Sequence, residues 1–168
     1  MTTNKNKINR IFCTGGVGEL ETYDWVRNIL PPTFQGNFHC VRSEFQETKM
    51  SYPENLVVKV GEFKIGLING FQVVPWGDLE GLCSYQRQLE CDILISGFTH
   101  INSVSHKDGK YFINPGTMTG AFSPLMNDPP PTFMLLLING DIGVIYLYEL
   151  NQSTKIFDVS KIDINKSQ

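Results

Sequence analysis

Helical periodicity is concentrated in the first half of this chain and strand-like runs in the second. A short apolar stretch at 8–13 runs into Thr14-Gly15-Gly16, and from 22 to 30 the apolar positions follow a helical pattern that Pro31-Pro32 stops. A strand, a loop and a helix are predicted there. Residues 37–41 predict a short strand, and 56–60 with 63–68, separated by Gly61-Glu62, predict a hairpin. Leu79, Leu82, Cys83, Gln86 and Leu89 share one helical face, with Asp78 placed to cap the N-terminus after Pro75-Trp76-Gly77. A buried strand follows at 93–96. Beyond it the pattern is β-rich: 103–106 and 110–113 around Asp108-Gly109, 132–138 and 143–149 around Asn139-Gly140, and a last strand near 156–162.

No boundary, repeat or low-complexity segment divides these elements. At 168 residues, 41% hydrophobic and 18% charged, the chain suits a single domain with a sizeable core, its residues 1–7 and 164–168 expected as disordered tails. Two sheets packed face to face, flanked by helices, would accommodate the pattern.

Charge and cysteine usage narrow the function classes. A net charge of -3 with no Lys/Arg cluster gives no footprint for nucleic acid or an anionic membrane. Residues 1–7 lack the apolar segment of a signal peptide, and no apolar run approaches a membrane span, so a cytoplasmic protein without direct membrane insertion is expected. Cys13, Cys40, Cys83 and Cys91 form no C-x-x-C pair. Three lie in or beside apolar runs, which favours reduced structural thiols over a zinc site or a disulfide framework.

In α/β folds ligands collect in loops after strand ends, which directs attention to 13–16, 41–44, 68–71 and 96–100. The order of these loops is similar to that of the calcineurin-like metallophosphoesterases. Within that superfamily Cys13-Thr14-Gly15, Tyr52-Pro53-Glu54, Gly61-Glu62-Phe63-Lys64-Ile65-Gly66-Leu67-Ile68, Gln72-Val73-Val74-Pro75-Trp76-Gly77-Asp78, Gln86-Arg87-Gln88, Asp92-Ile93-Leu94-Ile95-Ser96-Gly97 and Phe112-Ile113-Asn114-Pro115-Gly116 resemble the vacuolar protein sorting family of retromer subunits. The resemblance runs from Ile8 to about Leu150. It implies an α/β/β/α sandwich of two packed mixed β-sheets flanked by helices. The fold is expected to be N-terminally truncated, because the family's first strand, loop and helix with their Asp-x-His are absent from this sequence.

The superfamily's two metal ions activate a water and neutralise phosphoryl oxygens, which needs several convergent carboxylates and imidazoles. Measured against that pattern, Gly16 stands where the family has Asn or Asp. Glu44 replaces an Asp, Asn69 and Phe71 replace two His, and Phe98 replaces the first His of Gly-His-x-His, leaving only His100 unchanged. Phe71 and Phe98 cannot ligate, so Glu44, Asn69 and His100 are read as vestigial metal positions, with no catalytic residue and no cofactor beyond weak divalent binding. A lone His100 at a strand end is more often a hydrogen-bonded loop residue, and Glu44 more often a solvated carboxylate. His39 and His106 receive no site role, and Gly15-Gly16 reads as a tight turn and not a phosphate cradle.

Apolar Val73, Val74, Pro75 and Trp76 in a loop read either as a partner-facing patch or as a packed turn. The resemblance implies that the surface around the vestigial metal site, Val74 included, docks the large α-solenoid retromer subunit. It also implies that Leu135, Tyr146 and Tyr148 bind Rab-regulatory proteins on the opposite face, against the plainer reading that they cover a helix. The expected function is a non-catalytic retromer scaffold in endosome-to-Golgi or plasma-membrane cargo retrieval, peripheral on the endosome membrane through its complex. Two alternatives compete with it: a phosphoesterase using one ion held by His100, Glu44 and Asn69, and an incomplete gene product.

Overall fold

In the computed structural model, which describes residues 8–44 and 51–166, local sequence signals account for most of the elements. Strand β1 (Ile11–Cys13) leads through a glycine-rich loop into helix α1 (Leu20–Arg27), and a 3-10 turn (Pro32–Asn37) delivers β2 (Phe38–Cys40). Strands β3 (Asn55–Val60) and β4 (Phe63–Ile68) form the expected hairpin, with Val60 opposite Phe63. Gly61 makes that turn: its φ is +57°, and a Cβ there would meet the Gly140 carbonyl at 2.9 Å. Helix α2 (Leu79–Leu89) starts at Asp78, whose Oδ2 accepts from the Gly81 N–H at 2.7 Å, and ends on left-handed Glu90. There follow β5 (Ile93–Ile95), β6 (Asn102–Lys107), β7 (Lys110–Pro115), β8 (Thr132–Asn139), β9 (Ile142–Leu150) and β10 (Phe157–Asn165).

The strands β3-β4-β5-β7-β6 form one mixed sheet, parallel at its centre and antiparallel at both margins. Its β4 is almost wholly apolar and buried, as a central strand covered on both faces must be. On one face Phe63, Ile65, Leu67, Ile93 and Ile113 meet Val41, Ile145 and Ile164, with Phe12, Met134 and Leu136 packed against them. On the other, Leu94 and Phe112 meet Leu82 and Cys83 of α2. Helix α1 buries Tyr23 and Val26, and Tyr23 lies beside Cys40 of β2. The layers are therefore α/β/β/α. The second β-layer is divided, however, into a parallel pair β1-β2 and an antiparallel meander β10-β9-β8, with no ladder joining them among the described residues.

Three boundaries differ from the sequence reading. Helix α1 begins two residues early and stops at Arg27, yet Leu30 beyond it is still buried at 2% exposure. The β8–β9 turn pairs Asn139 with Ile142, so Gly140-Asp141 and not Asn139-Gly140 make the turn; Gly140, with φ +65°, takes its first central position. The expected tail from 164 is corrected: Ile164 is 2% exposed, the Asn165 N–H donates to the Tyr111 hydroxyl at 3.0 Å, and Lys166 donates to the Asp141 carbonyl at 2.9 Å. Polar residues there are ordered by partners distant in sequence. Residues 1–7 and 167–168 lie outside the described residues.

Asp92 is the centre of this C-terminal anchorage. Its carboxylate takes Lys110 Nζ at 2.8 Å, Lys166 Nζ at 2.9 Å and the Lys64 N–H at 2.9 Å. Burial alone would raise its pKa, but Lys110, the Lys64 N–H and Lys166 outweigh it and lower the value to about 2. A depressed carboxylate stabilises the fold above its unfolded pKa, near 4, and loses that contribution as pH falls through the folded value. Asp92→Asn is therefore expected to lower unfolding free energy by about 2 kcal/mol at neutral pH, the deficit shrinking toward about pH 2. Urea titrations of both proteins across that range check it; a deficit independent of pH would contradict the assignment.

Candidate functional site

All four loops singled out by their strand-end positions converge. Gly15, with φ +87°, approaches so closely that a Cβ would meet the Val41 carbonyl at 2.6 Å, which brings the loop after β1 against the loop after β2. The Asn69 Nδ2 donates to the Thr14 carbonyl at 2.6 Å, and the Gly97 N–H donates to the Asn69 carbonyl at 2.7 Å, joining the loops after β4 and β5 to the first. Phe98 and His100 both hold left-handed backbone, with φ of 72° and 60°. That strain is held in place by Asn114 Nδ2, which donates to Gly97 O at 3.2 Å and Thr99 Oγ1 at 2.9 Å, and by Ser123 Oγ, which donates to Thr99 O at 2.7 Å.

Aromatic rings occupy the place where these loops meet. Phe71 and Phe98 pack edge to face with centroids 6.4 Å apart, and Trp76 stands 4.8 Å from Phe98. The Arg42 guanidinium lies 5.8 Å from the Phe71 centroid and pairs with Glu54 at 3.2 Å, so an ion pair borders the site.

The donors do not fit a two-metal centre. Asn69 is 4% exposed, and its Oδ1 has no hydrogen-bond partner, which makes it a neutral and solitary acceptor. His100 Nδ1 lies 3.1 and 2.6 Å from the carbonyls of Ala121 and Phe122, so that nitrogen carries a proton and points at the 121–122 segment. Glu44 is exposed at the end of its loop. Among the described residues no three His, Cys, Asp or Glu side chains are grouped to hold an ion. The arrangement brings loops together through an amide and a packed aromatic cluster, with no cage of convergent carboxylates and imidazoles among the described residues.

Beside this cluster lies an exposed apolar surface. Val73 corrects the partner-facing reading: it is 2% exposed and packs with Leu82 in the core under α2. The Val74–Pro75 peptide is cis, and Val74 and Trp76 are 80% and 45% exposed. A cleft of about 230 Å³ continues from Trp76 past Leu79 and Ile101 to Leu125. Leu125, missed in the sequence, is 53% exposed and extends the patch, and Phe122, also missed, is 76% exposed with its carbonyl at His100. Large apolar residues within a Gly-, Ser- and Pro-rich stretch were the available signal.

Leu135, Tyr146 and Tyr148 lie elsewhere, on the outer face of the β8–β10 meander. Leu135 is directly opposite Tyr146, and Phe133 opposite Tyr148. Phe133 and Tyr148 stack at 4.7 Å, with Phe157 edge-on to Phe133 at 5.6 Å. Leu137 and Val159 on the same face are 61% and 52% exposed, so no described helix covers it. His39 and His106 are packing residues, stacked on Phe12 at 5.4 Å and Tyr111 at 4.5 Å.

Comparison with known proteins places these features. The profile of the calcineurin-like phosphoesterase superfamily domain matches residues 1–141. Vacuolar protein sorting-associated protein 29 of Schizosaccharomyces pombe is 30% identical over 166 residues, covering 96% of this chain and 82% of that protein. Vps29 of Cryptosporidium parvum superposes with a TM-score of 0.87 at 40% identity, covering 95% of this chain and 83% of that one. Vps29 of Entamoeba histolytica, solved in complex with zinc, gives 0.86 at 42% identity, with coverages of 95% and 84%.

Proposed function

The chain belongs to the calcineurin-like phosphoesterase superfamily and, within it, to the Vps29 family of retromer subunits, and from that premise we propose that it is a non-catalytic scaffold in the complex. Its work is to bind proteins: the large α-solenoid retromer subunit through the Val74–Trp76 surface, and Rab-regulatory proteins through Leu135, Tyr146 and Tyr148. In this reading it is cytoplasmic, is held on the endosome membrane only through its complex, serves cargo retrieval to the Golgi or plasma membrane, and needs no cofactor. No helix among the described residues is long and apolar enough to cross a membrane.

The observation that carries the proposal is the 80% exposure of Val74 beside a former metal pocket filled by Phe71, Phe98 and Trp76. Such a site offers apolar area to a partner and few electrons to an ion. Co-purification of the chain with the solenoid subunit tests it, and two proteins eluting separately at micromolar concentration would remove its support.

One feature favours a second reading. The unpartnered Asn69 Oδ1 is a buried acceptor that could join His100 Nε2 and Glu44 around a single ion. Titration calorimetry with Mn²⁺ and Zn²⁺, and turnover of an aryl phosphate, separate the two. No phosphatase turnover above the buffer rate is expected, with His100→Ala indistinguishable from the unaltered chain. Metal-dependent turnover that His100→Ala abolishes would establish the phosphoesterase.

A further inference from the structure

Cys13 and Cys40 occupy directly opposed positions at the ends of β1 and β2. In a parallel pair, opposed residues project to the same face of the sheet, about 5 Å apart along the hydrogen-bonding direction. That spacing lies within the Cα range a disulfide spans. The Cys40 thiol donates to the Val41 carbonyl at 3.5 Å. Neither thiol takes part in the partner surfaces. Cys83 and Cys91 belong to the other core, under α2.

We propose that Cys13 and Cys40 form an oxidation site whose co-substrate is a small hydroperoxide, closing to a disulfide that staples β1 to β2 directly beneath the loops of the candidate site. Access is through Cys13, which is partly exposed while Cys40 is buried. Hydrogen peroxide is little larger than water, which takes about 30 Å³ in the liquid, so partial exposure of one sulfur suffices for it.

The two sulfurs have different roles. The adjacent Cys40 thiol lowers the Cys13 pKa, outweighing the burial that raises it, with the Gly15 backbone adding to the lowering. The Cys40 pKa is raised by the adjacent Cys13 and by burial. Cys13 is also the more accessible of the two. Its thiolate attacks the peroxide, the O–O bond breaks, and Cys13 becomes a sulfenic acid as the leaving hydroxide takes a proton to become water. Cys40 then attacks that sulfur, its proton leaves with the sulfenic hydroxyl as a second water, and the S–S bond forms. Each sulfur gives up one electron, and the peroxide accepts both. By contrast, burial pushes the Cys91 thiol up to about 11, which makes it a poor nucleophile.

The consequence is local. The β1-β2 ladder has three residue pairs, a short ladder by any standard. A covalent link at its last pair would lock Thr14-Gly15 against Val41-Ser43, the contact from which the site is built.

The test is peroxide treatment of the folded full chain, quenching, alkylation of remaining thiols and peptide mapping. The expected product is about 2 Da lighter and has lost two alkylation sites, with a single cross-linked peptide joining Cys13 to Cys40 that a thiol reductant reverses. Cys40→Ser should stop at a sulfenic acid on Cys13, trapped by a cyclic 1,3-dione, while Cys13→Ser gives no trapped product on Cys40. Should either variant fail to fold, the relative alkylation rates of the unaltered chain decide, Cys13 being expected at least about tenfold faster than Cys91. Cross-linking that first engages Cys83 or Cys91, or a Cys13–Cys40 bond that forms only in urea, would overturn the proposal.

Discussion

Val74→Asp is expected to abolish capture of the α-solenoid subunit while leaving the fold intact. The free chain tolerates the change because Val74 is 80% exposed and a carboxylate there stays hydrated. A stability change within about 0.5 kcal/mol is expected, as for surface substitutions generally. In the complex the same carboxylate would be enclosed in an apolar contact without a partner. That desolvation costs several kcal/mol, so about 3 kcal/mol, or roughly a hundredfold in affinity, is a conservative expectation. Calorimetric titration with the solenoid subunit, beside thermal melts, measures both quantities. Binding preserved within about twofold would exclude this surface as the docking site. The neighbouring Val73→Asp provides the contrast: Val73 is 2% exposed against Leu82, so a charge there should unfold the chain and lose binding for that reason alone.

The pair Val73 and Val74 also shows where sequence reasoning stops. Both are valine in the same apolar loop, and no periodicity distinguishes them. Only the packing against Leu82 under α2 assigns Val73 to the core and leaves Val74 on the surface. Elements with strong local signals were legible. Gly61 and Asp108-Gly109 set their hairpins, Asp78 capped α2, and the apolar run of β4 marked a strand covered on both faces. The four site loops were legible too, since ligand loops follow strand ends. What escaped depended on contacts distant in sequence. The order of Ile164, Asn165 and Lys166 comes from Tyr111, Asp141 and Asp92, and the bond direction of His100 comes from Ala121 and Phe122. The division of the second β-layer likewise depends on which strands meet, a property that no single segment encodes.

The candidate site illustrates the same limit from the side of chemistry. That Phe71 and Phe98 carry side chains unable to ligate was readable residue by residue, and it led to the expectation of a weak donor set. That these rings pack with Trp76 and lie near the Arg42 guanidinium was not readable. The difference matters for any attempt to rebuild a metal centre. Returning histidines to single positions would disturb an aromatic cluster without supplying the several convergent ligands a two-metal centre needs.

Tyr146→Ala is expected to weaken binding of a Rab-regulatory protein by at least about thirtyfold, the scale of a tyrosine hot spot, without affecting the solenoid subunit. Tyr146 is a better probe than Tyr148. Tyr148 is stacked on Phe133 at 4.7 Å, with an interplanar angle of 4°, and is edge-on to Phe157 at 6.3 Å, so its truncation would loosen the sheet's own aromatic packing. Tyr146 faces Leu135 on one side and Lys161 on the other across the ladder, on a face where Leu137 is 61% exposed. Removing its ring therefore removes contact area offered to a partner and little that the fold requires. The meander and the Val74 loop belong to different β-layers, with the Phe63–Ile145 core between them. Substitutions that share no partner add, so the double variant with Val74→Asp should lose both partners by the amounts of the single changes, within about 0.5 kcal/mol. Two calorimetric titrations per variant measure this. A Tyr146→Ala chain that loses the solenoid subunit as well would mean that the two surfaces are coupled through the sandwich, and one that keeps its regulator within about twofold would place that partner elsewhere.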